Sequence, residues 1–292
     1  MPSTKEIRKR IKAVKNTGQI TRAMQLVAAS KMKRAQDDAL SGRPYAMLLA
    51  EILDSVADQE IEFHHPLLEK REAKKRGILV IATDKGLCGG LNANLNKEIM
   101  KIEGQVGYVA VGRKATQFLS RTQRELLADF SLSDKISYHE VRQVVEYMLD
   151  LYDKGEIDTI EVLFNRFVNT LAQEPTLHKL VPMDKLRETV ERVRQREKYA
   201  GVDTTSDERE FIFEPSTKAI LDELPKLFIK EEINHMMLEA KASEHSARMV
   251  AMKAATDNAK NLVGDLTLQY NKARQAAITQ EILEIAAASA SN

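Results

Sequence analysis

Apolar and small residues recur at helical steps of three and four in two stretches that lie at opposite ends of the chain. Near the start, Ile7, Ile11 and Val14, then Ile20, Met24 and Val27, and later Ala28, Met32, Ala35 and Ala39 form a stripe in a background of lysine and arginine. Ser3 or Thr4 can cap this helix, and Glu6 falls in its first turn, where the helix dipole favours an acid. Gly18 and Thr21 soften the stripe without ending it. Ser41-Gly42-Arg43-Pro44 predicts a break, because Pro44 removes an intrahelical bond and disfavours helical geometry at Arg43. The pattern resumes at Leu48, Leu49, Ile52 and Val56. From Pro215 onward the chain reads as one very long helix. Ile229, Ile233, Met236, Ala240, Ala247, Val250 and Ala254 follow one phase; Met252, Ala255, Ala259, Leu262, Leu266, Ala273 and Ala277 follow a second. About seventy helical residues would span roughly 100 Å, more than one small domain can enclose, so most of this helix is expected to project. The two narrow seams predict that the terminal segments, 1–60 and 208–292, pair as an antiparallel coiled coil.

The middle of the chain has a different texture. Gly77 to Thr83 is a continuous apolar run, as expected of a strand buried on both faces. A glycine-rich turn, Asp84-Lys-Gly-Leu-Cys-Gly-Gly90, leads into a helical pattern through Leu95 and Ile99. A second apolar strand follows at Val106 to Val111, then helices near Lys114 to Leu119 and over Val141 to Leu149. Further strands are expected at Thr159 to Val168 and Leu177 to Val181. Strands alternating with helices predict a mainly parallel, Rossmann-like α/β domain over residues 77–200, with an antiparallel edge. Residues 185–210 read as a polar connection, and Phe211 to Phe213 as a short strand. The fold class expected is therefore α/β with a long coiled-coil extension.

Composition adds a compartment and an asymmetry. Charged residues make up 30% of the 292 positions, aromatics 5%, and tryptophan is absent, which favours helix surface over a thick aromatic core. The net charge is only +1, yet the stretch up to Arg34 holds ten lysines and arginines against one glutamate. That stretch is +9; the remaining 34 basic and 42 acidic residues make the rest −8. The single cysteine, Cys88, excludes an internal disulfide or dithiol switch and fits a reducing compartment. No run is long enough to cross a bilayer and the start lacks the apolar core of a signal peptide, so the protein is expected to be soluble by itself.

Candidate chemistry is thin. The Asp84–Gly90 loop sits where dinucleotide-binding folds hold phosphate, but its spacing is not G-x-G-x-x-G and no Gly-Lys-Ser/Thr follows. A tight structural turn is the better reading; a small nucleotide-binding enzyme built on this loop is the alternative. The six histidines show no metal-ligand spacing, no acid–base pair stands out, and Cys88 has no histidine placed beside it by the sequence. No catalytic residue, cofactor or metal is expected. The basic first helix could meet nucleic acid, a membrane surface or an acidic protein; without interleaved aromatic residues or a docking motif, nucleic acid is not expected.

Two long stretches and one loop carry a resemblance. Lys5-Glu-Ile-Arg-x-Arg-Ile-x-x-Val-Lys-Asn-Thr17, continuing through Ile20-Thr-x-Ala-Met-x-Leu-Val-Ala-Ala-Ser-Lys-Met-Lys-Arg-Ala-Gln36, resembles the opening of the gamma subunit of F-type ATP synthases. Ala242-Ser-Glu-His-Ser-Ala-Arg-Met-Val-Ala-Met-Lys-Ala-Ala-Thr-Asp-Asn258 and Tyr270 to Ile282 resemble its end, and the Asp84–Gly90 loop is also similar. The resemblance implies a non-catalytic rotor. It stands inside a ring of alpha and beta subunits, meets the epsilon subunit and the membrane c-ring, and attaches only indirectly, as a peripheral protein, to the cytoplasmic face of a bacterial inner membrane. It further implies that Met24, Lys31, Lys33 and Arg34 face an acidic lever loop of beta. Arg274, Gln275 and Thr279 would meet the catch loops of the ring, with Arg248 in a similarly matched run. Phe211 and Phe213 would lie near the foot, beside the c-ring and epsilon.

Overall fold

A computed structural model describes residues 3–57, 65–72, 74–183, 188, 190–191, 193–195 and 217–290, apart from the side chains at 54, 56–57, 217–221 and 287–290. Phe211 and Phe213, with the strand expected there, lie outside the described residues. Two compact units are present: Met1–Ser30 with Arg248–Asn292, and Lys31–Ala247. Helices α1 (Thr4–Ser41) and α6 (Thr217–Ala290) contribute to both.

The larger unit is built on five strands: β1 (Arg76–Ile81), β2 (Val106–Val111), β3 (Leu126–Phe130), β4 (Thr159–Phe167) and β5 (Gln173–Val181). Their order is β3-β2-β1-β4-β5. The first four are mutually parallel, and β5 runs antiparallel along β4 from Gln173 opposite Phe167 to Val181 opposite Ile160. β2 and residues 77–81 of β1 are apolar throughout because both faces are covered. Ile78, Val80, Tyr108 and Ala110 pack with α3 (Leu91–Lys101) and α4 (Arg113–Arg121) through Leu95, Ile99, Ala115 and Leu119. On the other face Leu79, Ile81, Val109 and Val111 meet α5 (Tyr138–Asp153), α2 (Arg43–Ala57) and the Leu224 to Ala240 part of α6. Gly112 closes β2 with φ +92, and a Cβ there would lie 2.3 Å from the carbonyl oxygen of Ala82, so only glycine permits this approach.

Three expectations are corrected. β3 is an additional strand, and β5 begins four residues earlier than the apolar run marks it. Val190 and Val193, inside the stretch read as a polar connection, are helical and buried against the core. The break at Ser41 to Pro44 is present, with α1 ending at Ser41 and Pro44 in the first turn of α2, where its missing N–H has no helical partner to lose.

The smaller unit is a two-helix pairing. On α1 the inward positions are Ile7, Ile11, Val14, Gly18, Thr21, Gln25 and Ala28; on α6 they are Met252, Thr256, Ala259, Val263, Leu266, Tyr270 and Ala273. Both sets alternate steps of four and three, the spacing of a coiled-coil seam. The hydroxyls of Thr21 and Thr256 meet at 2.8 Å, and a Cβ on Gly18 would lie 3.3 Å from that of Ala259. Three residues forward on α1 thus match three residues back on α6, so the helices are antiparallel, as expected. The seam itself differs from the expected stripe: Ile20, Val27 and Leu262 are 60%, 55% and 47% exposed. Phase outranks hydropathy here, because small side chains let the backbones come close and turn the larger ones outward.

Candidate functional site

In a doubly wound sheet, ligands collect outside the carboxyl ends of the strands where the strand order reverses, which here lies between β1 and β4. That crevice is already filled. Thr83 after β1 and Asn165 of β4 face Met237, Ala240, Lys241 and Glu244 of α6, leaving about 10 Å³ between them, hardly the room of one water molecule. Glu239 closes the same end, its Oε1 accepting the Phe167 N–H at 3.0 Å. A nucleotide has no space at this point.

The adjoining Asp84–Gly90 loop is pinned from within. Asn92, in the first turn of α3, donates to Thr83 Oγ1 at 2.8 Å and to Cys88 Sγ at 3.4 Å, while Thr83 Oγ1 donates to the Lys85 carbonyl at 2.8 Å. Cys88 is buried, a small hydrophobe in this setting. Gly89 adopts φ +60, and Leu87 does so too at φ 61 while remaining 62% exposed. A bulky residue in the left-handed region is uncommon, and nothing in the sequence marks it. Among the described residues no cluster of three or more His, Cys, Asp or Glu is arranged to hold a metal.

Lys31 and Arg34, with Ala35, border an open cavity of about 440 Å³ beside the connection from β3 to α5. Lys31 Nζ lies 2.7 Å from Asp134 Oδ2. That bond holds the Asp134 carboxyl below the usual carboxylate range against a modest opposing effect of burial, and Lys85 and Lys241 lower it further. Asp134 stands 103 positions from Lys31, and sequence reasoning missed it because no local pattern joins them.

The remaining partner-facing candidates fall on the paired helices. Met24 is half-buried beside the seam and Arg248 is half-buried; Arg274, Gln275 and Thr279 are exposed. Thr279 Oγ1 donates to the Gln275 carbonyl at 3.0 Å, one turn back on the same face. Lys33 is exposed on α1 in the larger unit.

The model of the family described as ATP synthase matches residues 3–291. The chain belongs to the ATP synthase family. Among curated relatives, the ATP synthase gamma chain of Opitutus terrae is 52% identical over 288 residues, covering 99% of this chain and 98% of that one. The ATP synthase gamma chain of Akkermansia muciniphila is 43% identical over 291 residues, again covering 99% and 98%. Among solved structures, a chain of the Euglena gracilis mitochondrial ATP synthase (OSCP, F1 and c-ring, rotational state 3) superposes with a TM-score of 0.67 at 19% identity, covering 99% of this chain and 94% of that one. A rotor chain of the same enzyme in rotational state 1 gives 0.63 at 19%, covering 94% and 98%. These structures share the fold: a parallel sheet with an antiparallel edge, joined to paired terminal helices. No described helix is long and apolar enough to cross a membrane.

Proposed function

We propose that this chain is the central rotor shaft of an ATP synthase. Turning of a membrane c-ring, driven by proton or sodium flow, passes through it to a ring of alpha and beta subunits, where each beta subunit is forced in turn through its nucleotide-binding states. The chain itself is non-catalytic. Its attachment is peripheral, on the cytoplasmic face of a bacterial inner membrane, through the c-ring and epsilon. The observation that carries this reading is the antiparallel pairing of the two chain ends, fixed by Thr21 against Thr256 and Gly18 against Ala259. Such a coil is slim, and its apolar outer residues Ile20, Leu26, Val27 and Ile282 are left for a partner.

Within this reading, Met24, Lys31, Lys33 and Arg34 meet an acidic loop of beta, Arg274, Gln275 and Thr279 meet the catch loops, and Arg248 lies between these groups along the chain. The paired parts of α1 and α6, within segments 1–60 and 208–292, form the shaft, and the α/β domain within 77–200 is its collar. Mixing the purified chain with alpha and beta subunits should yield a defined assembly with ATPase activity well above that of alpha and beta alone. Failure of the three to assemble would remove the rotor reading.

A further inference from the structure

The first 34 residues carry ten basic side chains, and among the described residues Lys31 alone of these forms an ion pair. Its counter-ion belongs to the same chain. Asp134 lies in the connection from β3 to α5, and that connection is held in place independently of Lys31. The Glu140 carboxylate accepts the N–H and hydroxyl of Ser133 at 2.8 and 2.9 Å and those of Ser137 at 2.8 and 2.7 Å. The bridge therefore joins a carboxylate carried on an anchored connection to a long, adjustable lysine.

Both partners are reached by solvent, with side chains 37% and 63% exposed. An exposed pair of this kind is weakly held in water and readily exchanges partners. The cavity beside it, about 440 Å³, also carries Arg34, Lys135, Lys241 and His245 on its wall, with Asp37 and Asp38 at its α1 margin. That is room for a few side chains of an incoming segment. Two further ammonium groups, Lys85 and Lys241, act on Asp134 from outside the contact.

We propose that Asp134 is an internal stand-in for an acidic partner segment: it holds Lys31 in the free chain and yields it to a carboxylate of the protein that docks on the basic face of α1. This rests on the rotor reading and deepens it, by giving the partner's acidic loop a competitor within the shaft. The exchange replaces one carboxylate by another at Lys31, so the number of ion pairs is conserved. The Asp134 side chain is 63% exposed, so water solvates its charge after Lys31 leaves. The partner required is acidic, because Lys31, Arg34, Lys135 and Lys241 line the cavity it would enter; nucleic acid has the same sign of charge, but no aromatic residues are interleaved with the basic ones to stack on its bases.

The test uses the full chain assembled with alpha and beta subunits, and reads the chain concentration giving half-maximal ATPase activity at low salt. Asp134→Asn releases Lys31 and should lower that concentration by about two- to fivefold, the range for one exposed charge pair. Lys31→Gln should raise it, and adding Asp134→Asn to Lys31→Gln should change nothing more. An unchanged or raised concentration in Asp134→Asn overturns the proposal, as does an equal improvement in the Lys31→Gln background, which would indicate a general charge effect. Asp134→Ser should reproduce Asp134→Asn, and unchanged far-ultraviolet circular dichroism verifies the fold of each variant. If the unaltered chain fails to assemble, the rotor reading falls and this inference with it; if it assembles and Asp134→Asn is silent, only this inference falls.

Discussion

Arg274 makes no ion pair within the described chain and stands exposed on α6, so its removal should leave the coil intact and register only against a partner. Arg274→Ala is expected to lower ATPase activity of the assembled complex about fivefold, the effect of losing roughly 1 kcal/mol at a contact, with thermal unfolding of the chain unchanged. A normal rate in that variant would remove the catch-loop assignment. Glu140 is the opposite case, a side chain whose role is internal. Burial raises its pKa, but hydrogen bonds from the backbones and hydroxyls of Ser137 and Ser133 outweigh this and hold it at about 2. It also closes the capping box of α5 with Ser137. A carboxyl with a depressed folded-state pKa contributes stability above its unfolded value, near 4.3, and that contribution disappears as pH falls from there through about 2. Urea unfolding at pH 5 and pH 2 should therefore show the native chain losing about 1 kcal/mol more than Glu140→Gln, a figure already discounted for solvent screening. Equal losses would mean that Glu140 titrates normally.

The coil shows why its seam was only partly readable. Its period follows from spacing and its antiparallel sense from two seams at opposite ends of a chain whose middle can reverse direction, but Ile20 and Val27 are more apolar than Gly18 and Thr21 and draw the expected stripe to the wrong side. Two glycines separate the effects. Gly18 faces Ala259 across the seam, whereas nothing lies within 4 Å of a Cβ placed on Gly264. Gly18→Leu should destabilise the coil by about 1–3 kcal/mol through overpacking, and Gly264→Ala should stabilise it by about 0.5–1 kcal/mol through helix propensity. Both are measured by urea unfolding followed at 222 nm, and a tolerated Gly18→Leu would contradict the close approach. In the sheet, β1, β2 and β4 were legible because strands covered on both faces must be apolar. β3 was not, since Leu-Leu-Ala-Asp-Phe has no β-branched residue and its edge position leaves it half exposed. The candidate partner residues rest on long matched motifs alone, while Asp134 and the left-handed Leu87 depend on tertiary placement that no local pattern encodes.

One continuous helix serves two different environments, and its stability should differ accordingly along its length. Between Leu224 and Ser246, α6 buries Phe228, Ile229, Ile233, Met236 and Met237 in the core of the larger unit, and also Ser243, Glu244, His245 and Ser246. Beyond Arg248 its described side chains are mostly exposed, with Met252 and Leu266 the buried points. Helix hydrogen bonds are equivalent in both parts, so propensity cannot distinguish them; burial of apolar surface can, and most helical stability in proteins comes from packing. Native-state hydrogen exchange on the isolated chain should find amides from 224 to 247 among the slowest in the protein. Those from 252 to 273 should exchange faster, and those from 275 to 286 fastest, because among the described residues no inward seam position occurs after Ala273. Assembly with alpha and beta should slow the last group most, since its side chains are exposed beyond the seam. Uniform protection along α6 in the isolated chain would show that its terminal part is stable without a ring, and slowing confined to 224–247 on assembly would place the partner surface elsewhere.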